Sequence, residues 1–549
     1  MREPRPVTLA LLALLAASPV LLPLGKPPVV TALAELWMLA VSGVVAVVLG
    51  HQSWREAPLQ VAAFESPDAR RSTWPMLLVM AAAIAGLLSA FIGVVQVMVP
   101  EALHSGAGGL GLLIQASHLD GRAVGHLRQP NHLATVLLWG AAAWGVLQAQ
   151  ARVPTGAALA GWLMLMTALV FTGSRTGLLG VLLLLAWAGF DRRLPRVTRL
   201  FLALTPLMAA AVWVAMRAWS AHSGVELGSA QHLAGSGGGD VSSSRFAIWR
   251  NTWALIEQQP GTGVGWGMFN IAWTLTPLPD RPVALFGHAH NLPLHLMAEL
   301  GAPLGLAACA ALLGLLVLAA RRTWADQHRD TTDDAAARRG SLVMLGIVGL
   351  HSLLEYPLWY AYLGLPALLA LAVCLGWDRP WKRAARWQAL LLMAGGAVVL
   401  VVSAWAFANY QSVRAIYDPA PGAGSLSSRI EQGQGLTWFA DQAHYAKATT
   451  FKPVPGQAWD ASTTRAFERA PHVLLDPRLM MAWADALAAR DGADDRDRAR
   501  HLAARLREFN PPAAREWLAA CDDPQTPAQR RFVCEAPQKA WNWRDFGLR

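Results

Sequence analysis

The chain has 549 residues, of which 54% are hydrophobic and only 15% charged, against about a quarter charged in soluble domains. That balance excludes an ordinary water-soluble globule, and several apolar runs reach the roughly 20 residues needed to cross a bilayer, so the fold class is an all-α polytopic membrane protein. The formal charge of +10 is spread over short loops, which reads as a topology signal and excludes a nucleic-acid footprint.

In chain order, eleven spans are expected at about 8–24, 29–50, 75–99, 132–150, 155–172, 175–190, 199–216, 291–319, 341–355, 358–376 and 388–409. The first follows Arg2 and Arg5 as a signal peptide would. Further spans follow at once, so it is read as uncleaved. The ninth and tenth are short enough to be a re-entrant pair. One set of loops holds Arg55, Arg70 and Arg71, then Arg192, Arg193, Arg196 and Arg199, then Arg321, Arg322, Arg329, Arg338 and Arg339, then Arg379, Lys382, Arg383 and Arg386. The richer set should be cytoplasmic. The N-terminus is then inside, with 100–131, 217–290 and the C-terminal tail on the outer side.

Four segments follow: an N-terminal membrane bundle at 1–216, a large outer loop at 217–290, a second membrane bundle at 291–409 and a soluble helical tail at 410–549. The stretch 218–244, with Gly-Ser-Gly-Gly-Gly at 235–239, is expected to be flexible. After it, Phe246, Trp249, Trp253 and Ile256 recur at helical spacing on one face of an expected amphipathic helix at 245–259. Such a helix lies on the membrane or over a cavity mouth. In the tail, 475–490, 495–508, 512–520 and 527–541 look helical. Cys309 and Cys374 fall in spans as core thiols. Cys521 and Cys534 lie in the tail, as a disulfide or as two free thiols.

Polar residues beside spans are costly and mark function. Arg128-Gln129-Pro130-Asn131-His132 precedes the fourth span and offers hydrogen bonds to sugar hydroxyls or phosphate oxygens. Thr172-Gly173-Ser174-Arg175-Thr176-Gly177 joins two spans, and Arg175 can grip a phosphate bidentately. Arg245, with Trp249 and Arg250, offers a second guanidinium or a basic face to headgroups. Gly287-His288-Ala289-His290-Asn291 puts two imidazoles at a membrane edge, where they can take and relay protons near neutral pH. Asn291 can orient a neighbouring histidine. His295 and Glu299 lie in the eighth span, facing protein. His288, His290 and Glu299 are also zinc-ligand types, but no HExxH or cysteine pair accompanies them, and no metal or other cofactor is expected. Finally, His351–Tyr362 interrupts spans nine and ten, where Pro357 breaks the helix, Glu355 needs a partner and the aromatic rings can stack on sugar.

These stretches resemble the bacterial O-antigen ligase and polymerase superfamily, and within it the protein O-oligosaccharyltransferases. The similar runs are Arg128–Thr135 (RQPNHLAT), Thr172–Gly177 (TGSRTG), Ser243–Trp249 (SSRFAIW), Gly263–Gly267 (GVGWG), His288–Gly305 (HAHNLPLHLMAELGAPLG) and His351–Tyr362 (HSLLEYPLWYAY). The first and last point to the protein-glycosylating branch. The resemblance implies a metal-independent glycosyltransferase of the inner membrane with a periplasmic site. Its donor would be an oligosaccharide on undecaprenyl diphosphate. Its acceptor would be a serine or threonine of a periplasmic protein such as a pilin. His290 matches the family's essential histidine, with His288 its rival for the base. Arg175 and Arg245 match arginines that bind the diphosphate. Gln129 and a tyrosine, Tyr356 or Tyr360, match positions tied to activity, and Arg128, Asn131, Asn291, Glu299 and Trp249 are expected around the substrate. An O-antigen ligase acting on lipid A-core, or a polymerase, is the nearest alternative. A transporter or flippase fits poorly, since no internal repeat is present and the polar clusters gather at one membrane face.

Overall fold

The computed structural model describes residues 6–62, 73–104, 110–119, 121–224, 227–234, 245–282, 285–325, 332–377, 385–490, 492–521 and 527–548. Every regular element among them is helical. Among the described residues, six helices are long and apolar enough to cross a membrane: Ala32–Arg55, Trp74–Met98, Pro130–Ala149, Arg196–Ser223, Ala302–Ala325 and Arg386–Tyr417. Four shorter apolar helices, Val7–Leu21, Thr155–Phe171, Arg175–Phe190 and Ala361–Leu375, fall on other expected spans.

The chain divides into two compact units. Met1–Asp240 and Ala311–Trp405 form one, and Val241–Ala310 and Ala406–Arg549 form the other. The expected outer loop and tail therefore share a unit.

The first unit is a helical bundle around Pro130–Ala149. This helix is buried along most of its length. Gln129 caps it, its side chain accepting from His132 N, and Pro130 occupies the first turn where no amide is needed. The helix crosses Thr73–Met98 at two glycines. A Cβ on Gly86 would lie 2.5 Å from Gly140 Cα, so backbones touch where lipid gives helices no hydrophobic reason to associate. Trp139 Nε1 donates to Met344 O at 2.9 Å, tying in the helix Thr332–Ser352. That helix corrects the short ninth span. It has 21 residues and includes Arg338 and Arg339, which the sequence assigned to a loop. Both arginines are buried: Arg339 Nε meets Asp191 Oδ2 at 2.6 Å, and Arg338 donates to Val373 O. A buried guanidinium needs such partners, which are remote in sequence. The stretch expected to be flexible is also partly ordered. Helix Arg196–Ser223 runs on through Ser223, and a short helix follows at Gly228–Ala234. The glycine run 235–239 lies outside the described residues.

The second unit has one apolar core built from both of its chain segments. Ile248, Leu255, Phe269, Trp273 and Phe286 pack with Phe467, Leu479, Trp483, Leu502, Leu506 and Phe532. Asn270 Oδ1 accepts from Leu475 N at 2.8 Å, and His501 Nε2 pairs with Leu275 O at 2.8 Å. Arg281, 8% exposed, pairs with Glu508 at 2.5 Å and donates to Trp273 O and Thr276 O. The helix Arg245–Gln258 corrects the expected apolar face. Ile248, Asn251, Thr252, Leu255 and Ile256 are buried, while Phe246 is 78% and Trp253 50% exposed. Core packing chose the face that contains two small polar residues whose side chains bond back to their own helix, to Ala247 O and Ile248 O.

The expected eighth span is two helices, Leu292–Leu300 and Ala302–Ala325. Gly301 separates them with φ +81°, and a Cβ there would lie 2.4 Å from Gly261 O. Only glycine fits this turn. His295 and Glu299 therefore belong to the second unit's core and not to a span. In the tail, helices form at Pro477–Ala488 and Ala493–Phe509, and also at Leu426–Gln434, Ala440–Thr450 and Ala461–Arg469. The helix expected at 512–520 forms as consecutive short helical segments, Pro512–Ala514, Arg515–Leu518 and Ala519–Cys521, whereas within the expected 527–541 helix only Ala528–Val533 is helical. Pro511 and Pro512 stop the preceding helix. Cys521 and Cys534 are joined as a disulfide.

Candidate functional site

In the first unit, three motif stretches converge on Glu355. Its Oε1 accepts from Asn131 Nδ2 at 2.7 Å and its Oε2 from Gln129 Nε2 at 3.1 Å. Asn131 Oδ1 in turn accepts from Ser174 Oγ at 2.5 Å. Ser174 also caps the helix Arg175–Phe190 through Gly177 N, which fixes where Arg175 starts. The Arg175 guanidinium donates to His232 O at 2.9 Å. Arg128, just before the Gln129 cap, holds φ +58°, a backbone that costs a non-glycine residue energy. Behind this layer, His132 Nδ1 pairs with Tyr362 Oη at 2.9 Å, and His351 Nδ1 with Thr135 Oγ1 at 2.8 Å. Tyr360 lies edge-on to the His132 ring at 4.4 Å, and Tyr356 and Tyr360 pair through their hydroxyls.

Gln129 and Asn131 are thus engaged by protein through both ends of their amides. The sequence pointed to Glu355 as needing a partner, but not to Gln129 and Asn131 as its donors. Ser174 and the buried pair His132 and His351 were also missed as site residues. The available signal was polar side chains on apolar helices, with His351 and Glu355 one turn apart.

The second unit holds the two histidines. The His288 and His290 rings lie 4.0 Å apart at 40°. Phe286 stands edge-on to His290 at 5.5 Å, and Trp249 Nε1 donates to His290 O at 3.4 Å. Both histidines are half-buried, while Ala289 between them is buried. His290 holds φ +49° and immediately precedes the cap of helix Leu292–Leu300. That cap is Asn291, whose Oδ1 accepts from Leu294 N at 3.0 Å. Asn291 therefore fixes the chain on which His290 sits. Arg245 opens the helix that carries Trp249.

Glu299 is 3% exposed, in the interior of the second unit. Its Oε1 accepts from Phe269 N at 3.2 Å, and its Oε2 lies 3.6 Å from His295 Nε2. Burial raises its pKa, opposed by the amides of Gly267 and Phe269. Burial also lowers His295 to about 4, so that imidazole is neutral at pH 7. Glu299 thereby pins the GVGWG turn, whose Val264 and Gly265 amides donate to Ala298 O and Glu299 O.

Three family models match this chain. One described as O-antigen ligase covers residues 159–309, one described as virulence factor membrane-bound polymerase, C-terminal, covers 341–521, and one described as protein glycosylation ligase covers 123–147. A general O-oligosaccharyltransferase of Acinetobacter baylyi is 34% identical over 124 residues, 22% of this chain. The matched stretch spans about a fifth of that relative's length. Arg175, Arg245, His288 and His290 fall in the first matched segment, Glu355, Tyr356 and Tyr360 in the second, and Gln129 and Asn131 in the third. In these segments the chain is similar to the O-antigen ligase and polymerase superfamily, and at 123–147 to the protein glycosylation ligases.

Proposed function

We propose that this protein transfers an oligosaccharide en bloc from undecaprenyl diphosphate to serine or threonine hydroxyls of periplasmic proteins such as pilins, at the inner membrane. The observation that carries this reading is the close His288–His290 pair, inside the segment similar to O-antigen ligases of a chain whose 123–147 segment is similar to protein glycosylation ligases.

The mechanism follows from charge. An alcohol has a pKa far above 7 and must lose its proton as it attacks the anomeric carbon. His290 takes that proton, a contribution of roughly 10²–10⁴-fold, and His288, whose ring centre lies 4.0 Å from that of His290, relays it. The glycosidic C–O bond to the diphosphate breaks as the new bond forms, so the leaving oxygen gains negative charge. Arg175 and Arg245 bind that diphosphate as fixed cations, and a single displacement inverts the anomeric centre. Two guanidiniums supply the charge a divalent cation would otherwise bring, so the transfer step needs no metal.

The test uses cells that lack their own ligase and carry a lipid-linked oligosaccharide pathway, a pilin and this protein. Intact mass of the pilin is read beside a lipopolysaccharide gel. A glycan adduct that disappears with His290→Ala and falls at least tenfold with Arg175→Ala is the expected result. An unmodified pilin with new lipopolysaccharide ladders would instead identify a lipid A-core ligase or polymerase, a reading favoured by the 159–309 and 341–521 matches.

A further inference from the structure

Behind the Gln129–Asn131–Glu355 layer lies a group of side chains that the transfer reaction does not use. His132, His351 and Glu355 are 2%, 1% and 6% exposed, and one donor atom from each lies within 4.8 Å of the other two. Two imidazoles and a carboxylate are the donor set of divalent first-row transition ions.

The surroundings are those of a ligand set. Each histidine has Nδ1 engaged by a hydroxyl, Tyr362 Oη for His132 and Thr135 Oγ1 for His351. With Nδ1–H donating outward, Nε2 keeps its lone pair, which is how metal-binding imidazoles are oriented. The carboxylate is aimed by Asn131 Nδ2 and Gln129 Nε2. His351 Nε2 is buried and has no hydrogen-bond partner. It stands 3.7 Å from Glu355 Oε2, too far for a hydrogen bond. Two ligands that share one zinc ion at about 2.0–2.1 Å are held at about this spacing.

We propose that His132, His351 and Glu355 bind one divalent transition ion of the zinc class as a structural site. It would clamp the start of the helix Pro130–Ala149 to the turn at Pro357, and so hold Gln129, Asn131, Tyr356 and Tyr360 in place. The inference stands apart from the glycosyl-transfer reading and takes no part in the transfer step.

The full chain, carrying a histidine-free affinity tag, is purified in detergent, equilibrated with zinc sulfate and dialysed against metal-free buffer. Elemental analysis should find about one zinc per wild-type chain, falling at least tenfold in His351→Gln and in Glu355→Gln. Thr135→Val, which removes only the hydroxyl behind His351, should weaken zinc binding about tenfold. Cobalt(II) loaded in place of zinc should give visible d–d bands. The wild-type spectrum decides the matter if a ligand variant fails to fold. Wild-type chain without retained zinc or cobalt bands would overturn the proposal. Zinc kept by His351→Gln but lost from His290→Ala would overturn it too, by placing the ion at the other histidine pair.

Discussion

His290 and Arg128 share an arrangement. Each is a non-glycine residue in the left-handed region, at φ +49° and +58°, and each stands one residue before a side chain that caps a helix. Such backbone costs on the order of 1–3 kcal/mol and persists where surrounding structure fixes it, commonly at functional sites. This separates two effects of replacing His290. His290→Gly should abolish transfer while leaving the melting temperature at or above that of wild type, since glycine accepts φ +49° without strain. His290→Ala should abolish transfer and also gain nothing in stability. A glycine variant that keeps wild-type turnover would remove His290 as the base. Sequence alone marked the two histidines by type and spacing. It could not show that the chain bends at His290, because no local preference of histidine demands it.

Helix ends, not helix interiors, set the positions of the polar groups. Gln129, Ser174 and Asn291 each cap a helix and each adjoins a proposed site residue or belongs to that set. Replacing Asn291 by alanine should cost about 1 kcal/mol and lower transfer more than that figure implies, because His290 shifts with the cap. Turnover measured beside thermal unfolding separates the two effects. Gly301→Ala should be more severe. A Cβ would meet Gly261 O at 2.4 Å in a backbone with φ +81°, so loss of expression or a large drop in melting temperature is expected. In the tail, Asp497 replaces the helices anticipated at 527–541. It accepts from Gln538 N, Lys539 N and Trp541 Nε1 at 2.8–3.0 Å. Burial would raise its pKa, but these donors, with Arg500, hold it below the usual carboxylate range. Asp497→Ala should leave the buried Trp541 indole and two backbone amides without their acceptor, a loss of roughly 1–3 kcal/mol, and expose the segment after Cys534 to protease. The apolar pattern located the segments that form the six long and four shorter apolar helices. It merged Leu292–Leu300 with Ala302–Ala325 because Gly301 is apolar in hydropathy and its φ is invisible there.

At the level of the molecule, residues 245–300 and the tail share one core. Ending the chain after Tyr417 should therefore abolish transfer even though His288 and His290 remain, with residues near Arg281 becoming open to trypsin. A truncated protein with full activity would contradict a shared core. Acid should weaken the same unit. His295 and His501 are held at about 4 by burial, with the Leu275 carbonyl partly opposing it at His501. Their ordinary value is about 6.5, so between pH 6.5 and 4 the unfolded chain takes up protons that the folded chain refuses. Stability is complete above pH 6.5 and falls as pH drops towards 4, by on the order of 3 kcal/mol per histidine. Glu299, raised by burial, acts with the opposite sign. Melting curves from pH 7 to 4 should show the decline. His501→Gln, which can still donate to Leu275 O, should flatten it, and an unchanged slope would exclude His501 as a source.

By itself the sequence determined the helical class, the apolar segments and the residue types of the proposed chemistry, because hydropathy, spacing and motif are properties of neighbours along the chain. The meeting of Gln129 and Asn131 with Glu355 across more than 220 residues was decided only by tertiary structure. So were the burial of Arg339 on Asp191, the core shared by loop and tail, and the approach of His132 to His351 and Glu355. Each of these depends on a polar group finding its partner inside a low-dielectric interior, and that partner is chosen by packing rather than by proximity in sequence.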